Sequence, residues 1–71
     1  MFPSMTKGEI VEHVLSPMSN GVIDVKWMAS DEDRFEKILK IMVKFGGIPW
    51  ITQVNYVTVR DLVRSIVNVP Q

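Results

Sequence analysis

No cysteine occurs among the 71 residues, so neither a disulfide nor a thiolate metal site can brace this small chain. The single histidine, His13, leaves the common Cys/His zinc frameworks without ligands, and no cofactor is expected from the residues present. Net charge is lacking too. Eight basic residues balance eight acidic ones, which argues against a protein whose main task is to grip nucleic-acid phosphates. No apolar run approaches the roughly 18 residues that a membrane span requires, so no membrane partner is expected. The opening Met1-Phe2-Pro3-Ser4 lacks the basic-then-apolar layout of a secretory signal, and a cytoplasmic location is expected. Gly46-Gly47 has no phosphate-loop frame around it and follows an apolar-periodic run instead of preceding one.

What is present is apolar: 46% of the chain, enough for one small domain over residues 1–71. Three Ser/Thr-x-x-acid boxes stand ahead of apolar-periodic runs: Thr6 to Glu9, Ser30 to Asp33 and Thr58 to Asp61. In such a box the hydroxyl accepts a first-turn N–H while the acid reaches back to the cap N–H. Apolar staples support two of them, Met5 with Ile10 and Val57 with Leu62. The first predicted helix runs from Thr6 to Ser16, with Ile10, Val11, Val14 and Leu15 on one stripe and Pro17 as its stop. The second runs from Ser30 to Phe45, ended by Gly46-Gly47. Its apolar residues cover roughly 200° of the circumference, too wide for one neighbour. The third runs from Thr58 along Val59, Leu62, Val63, Ile66 and Val67, closed by Asn68 and Pro70.

Between these helices, Gly21 to Met28 alternates Ile23, Val25 and Trp27 against Asp24 and Lys26, and predicts a strand. Trp50 to Tyr56 predicts a second, with Trp50, Thr52, Val54 and Tyr56 on one face. The expected fold is therefore α+β, in the order α-β-α-β-α, with a two-stranded sheet packed against helices. Two strands leave two unpaired edges, which motivates a homodimer sharing one four-stranded sheet.

No residue set points to catalysis. Glu9, Glu12 and His13 share one helix without the further ligands of a metal site, and no serine has an evident base. The expected function is a non-catalytic interaction or regulatory domain, working by self-association or on a larger protein. Phe35, Met42, Trp27 and Trp50 are its candidate contact residues, because aromatic and Met side chains are enriched at interfaces. The alternative is nucleic-acid binding through Lys37, Lys40 and Lys44, which fall within about 60° of one another on the second helix. The plain reading of that stripe is a solvated face with cations placed toward a helix C-terminus.

The segment Tyr56-Val57-Thr58-Val59-Arg60-Asp61-Leu62-Val63 resembles the start of the last helix in acyl and peptidyl carrier proteins. The opening Thr6-Lys7-Gly8-Glu9-Ile10-Val11 is similar too. That resemblance implies an all-α four-helix bundle, with Gly21–Met28 as loop and a short third helix inside Ile48–Val57. It further implies a phosphopantetheine arm on the serine of an Asp-Ser-Leu motif. The corresponding site here reads Ala29-Ser30-Asp31-Glu32, with neither the acid before the serine nor the apolar residue after it.

Overall fold

The structure, a computed structural model, describes residues 5–69, apart from the side chain of Thr52. The first helix starts as its capping box predicts. Thr6 Oγ1 accepts from the Glu9 N–H at 3.2 Å, and Glu9 Oε1 accepts from the Thr6 N–H at 3.0 Å. From there Lys7–Ile10, Val11–Leu15 and Ser16–Met18 run on as one rod, α1. Its middle stretch is a π-helix in which the Ser16 N–H reaches back five residues to the Val11 carbonyl. Pro17 comes next. It has no N–H, and its ring would press on the carbonyl four residues back, so a wider turn lets the rod carry the proline instead of stopping at it. The helix thus outlasts its predicted end at Ser16 and reaches Met18.

The turn that follows is the one expected at Ser19-Asn20-Gly21, with positive φ at Asn20 and Gly21. Ser19 pins it from inside. This buried hydroxyl donates to the Leu15 carbonyl at 2.6 Å and accepts from the Ile23 N–H at 2.9 Å.

Both expected strands are helices. Asp24 Oδ1 accepts from the Trp27 N–H at 2.7 Å and opens α2, Val25–Ser30. Ile23 and Trp27 share a face in a strand and also in a helix, so the alternation could not discriminate between them. Val25 does: it is 56% exposed, while Ile23 is fully buried. The cap of the long helix α3, Glu32–Lys44, also lies one residue beyond the expected place. Asp31 accepts from the Arg34 N–H at 3.2 Å, whereas Ser30 ends α2 and donates to the Trp27 carbonyl at 3.0 Å. An aspartate and a serine cap equally well, so composition alone does not choose between neighbours.

Gly46-Gly47 ends α3 as predicted. The Gly46 N–H meets the Val43 carbonyl at 3.0 Å and the Gly47 N–H meets Met42 at 2.9 Å, the paired bonds of a Schellman stop, with φ near +94° and +93°. Then comes α4, Ile48–Gln53, where the second strand was expected. Pro49 sits in its first turn, a place that needs no N–H donor. Ile51, assigned to the outer face of the strand, is fully buried, while Trp50, Val54 and Tyr56 are exposed to different degrees. The last helix, α5, Tyr56–Val67, starts before the Thr58 box at Asn55 and has no side-chain cap. Asp61 instead accepts from its neighbour Arg60 at 3.0 Å. The Val57–Leu62 staple does not form a buried pair, since both residues are exposed. Asn68 closes α5 in the left-handed conformation, and Pro70 lies outside the described residues.

No strand is present among the described residues, so the fold is all-helical and not α+β. Burial overrode β-propensity in both short segments. The short helix α4 falls where the carrier-protein resemblance places one, but α2 occupies part of what it makes a loop. α3 packs along α5, α4 closes against both, and α2 bridges α1 and α3. Leu15, Met18, Ile23, Phe35, Ile38, Ile51, Val59 and Val63 fill the single core between them. Two long-range polar ties complete it. Arg64 Nε donates to the Met18 carbonyl at 2.8 Å, and Lys7 Nζ meets Glu36 Oε1 at 3.0 Å.

Candidate binding groove

The wide apolar arc of α3 is mostly spent inside the chain. Phe35, Ile38 and Met42 are buried, and Leu39, Ile41 and Phe45 pack partly against the core. Val43 is left outside, 77% exposed. Beside it the Schellman stop turns the chain sharply enough to set α4 against the end of α3, and a groove of about 650 Å³ opens between them. Its floor and walls are Leu39, Met42, Val43, Gly46 and Gly47 from α3 and its stop, Ile48, Pro49 and Trp50 from α4, and Ile10 from α1.

Trp50 stands at its edge, 57% exposed. A Cβ built on Gly46 would come within 2.8 Å of Trp50 Cδ1, so the indole lies directly against the glycine backbone. The Gly46 and Gly47 N–H groups are used by the stop, and the Gly47 carbonyl accepts from the Trp50 and Ile51 N–H groups. The groove is therefore an apolar surface whose glycine donors are already satisfied. Its volume lies within the roughly 300–1,000 Å³ range of ligand and anchor sites.

The residues singled out from the sequence are not brought together. Met42 and Trp50 line the groove, Phe35 is 2% exposed in the core, and Trp27 is half-buried on α2. The packing of Trp27 on Trp50 expected from adjacent strands has no sheet on which to form. Sequence reading missed Val43, Ile48 and Pro49. Their signal was the order Gly46-Gly47-Ile48-Pro49, a left-handed stop followed by a proline in a new first helical turn.

Lys37, Lys40 and Lys44 are exposed along α3, and no ion pair engages them among the described residues. The arginines that would extend the stripe are committed elsewhere. Arg34 pairs with Asp31 at 3.2 Å, Arg60 with Asp61 at 3.0 Å, and Arg64 holds the Met18 carbonyl. A smaller hollow of about 260 Å³ lies under the Lys7–Glu36 bridge, where Lys7 Nζ stands 6.0 Å from the centre of the Phe35 ring. Glu9 is occupied by its box: the Thr6 N–H, then the Thr6 side chain, hold its carboxyl below the ordinary glutamate value. Among the described residues no three His, Asp or Glu side chains gather as metal ligands. Ser30 is exposed, with its hydroxyl donated to the Trp27 carbonyl. No helix among the described residues is long and apolar enough to cross a membrane.

No protein-family model matches the chain, and neither a curated protein nor a solved structure matches it.

Proposed function

We propose that the chain is a non-catalytic protein-association domain whose contact surface is the groove at Trp50. The supporting observation is that groove itself: an apolar hollow of about 650 Å³ edged by a half-exposed tryptophan and a mostly exposed Val43. Leaving such side chains in water forgoes about 25 cal/mol for each Å² of apolar surface, a loss that a bound partner recovers. A tryptophan beside a concave apolar wall is also the commonest kind of binding hot spot. The fold can spare it, because the core closes elsewhere and no buried side-chain polar atom among the described residues lacks a partner.

The test immobilises the chain, exposes it to extract of its source cells, and compares it with Trp50→Ala and Val43→Glu. Both positions are exposed, so the helical circular dichroism should survive either change. Loss of the captured protein in both variants is expected. Capture untouched by them, but abolished by Lys37→Glu, Lys40→Glu and Lys44→Glu together and by salt, would favour the alternative of phosphate binding along α3. The specific support for that alternative is the exposure of all three lysines without an ion-pair partner among the described residues.

A further inference from the structure

We infer that the groove takes an amphipathic helix of another protein, with carboxylates along one flank of that helix; this rests on the association reading above. Three observations converge on this occupant.

The first is the state of the backbone. An extended peptide brings unpaired N–H and C=O groups and needs a strand edge to receive them. None exists among the described residues, and the Gly46 and Gly47 donors are bonded to Val43 and Met42. A helix arrives with its own backbone satisfied and offers only side chains, which is what an apolar groove can use.

The second is charge. At 100° per residue, Lys40, Lys44 and Lys37 follow Val43 round α3 by roughly 60°, 100° and 120°, while Leu39, Met42 and Gly46 lie on its other side. The lysines therefore form one rim of the groove. The opposite wall carries no such row: beside Ile10 on α1 stands Glu9, whose carboxylate is held by Thr6. A cationic rim on one side only selects a helix with its acids on one flank, and so sets the direction in which it lies.

The third concerns a second copy. The stripes of α1, α3 and α5 are turned into the core, with Val11, Leu15, Phe35, Ile38, Val59 and Val63 all buried. A second copy has no amphipathic acidic helix to offer, so the occupant is a different protein.

The probe is a synthetic helical peptide with leucines at i, i+3, i+4 and i+7 and glutamates on one flank, compared with the same peptide carrying lysines there. Amide and indole shifts in two-dimensional NMR report where each binds. The glutamate peptide should shift Val43, Gly46, Gly47 and the Trp50 indole, and bind about tenfold tighter at low salt. That preference should shrink at high salt and invert in the chain carrying Lys40→Glu with Lys44→Glu. Equal binding of the two peptides at the groove would overturn the acidic flank and leave the association surface standing. Shifts confined to residues away from the groove, or no shifts with either peptide, would overturn the helix as occupant. Cell-extract capture still lost in Trp50→Ala would then keep the surface, and capture retained would remove both.

Discussion

Gly46 is where local backbone need and the candidate site meet. Its φ of +94° is one that side chains seldom adopt, and Trp50 Cδ1 fills the space a methyl would take. Gly21 shares the backbone need, with φ of +81°, but has nothing within 4 Å of its missing Cβ. Gly21→Ala should therefore cost about 1–2 kcal/mol in urea unfolding from conformation alone. Gly46→Ala should cost more and also change the Trp50 emission, because the indole must move. Equal losses at the two positions, with unchanged fluorescence, would place Trp50 elsewhere. Arg64 can be tested in the same way. Its bond to the Met18 carbonyl is partly buried and charge-assisted, so Arg64→Met should lower stability by about 1–2 kcal/mol. Glu9 carries a pH dependence. Its carboxyl is held down in the folded chain, so its stabilising effect is present above the ordinary glutamate range and lost as pH falls through the lowered folded value. Glu9→Gln should flatten that part of the acid limb in a series of urea midpoints.

At the scale of elements, the helices were legible in proportion to their length. The first capping box, the α1 stripe, the glycine stop of α3 and the buried run Val59, Val63, Val67 of α5 all rest on several turns of period or on a specific stop. The two short segments were misread, and the reason is geometric. In a six-residue helix, period two and period 3.6 agree at i and i+4, so Ile23 with Trp27, or Trp50 with Val54, fits both. β-branched composition then tips the reading toward strand, although burial decides the outcome. The aspartate cap at Asp24 and the first-turn proline at Pro49 were the contrary signals. Point changes separate the two geometries. Ile51→Ala should cost about 2–4 kcal/mol, as expected for a fully buried isoleucine, while Val25→Ala should stay within about 0.5 kcal/mol. A strand would reverse that order.

At the scale of the molecule, the apolar excess of this chain divides into a core that one copy closes and a groove that it leaves open. The radius of gyration, 11.0 Å, matches the roughly 11 Å of a compact chain of this length, so no partner is needed to complete the core. The expected homodimer drew its motive from sheet edges, and there is no sheet among the described residues to supply them. The over-wide arc of α3 correctly signalled more than one neighbour. It could not show that Val43 alone would face water, because that depends on where the Gly46-Gly47 stop sends α4. Trp50 was named from its type, and its place on the groove followed only from the helix it opens. Sedimentation equilibrium of the isolated chain, from micromolar to millimolar concentration and at low and high salt, is the deciding measurement. A monomer throughout is expected, with the groove free for another protein. A salt-resistant dimer that Val43→Glu dissociates would contradict it, since a second copy would then already cover Trp50.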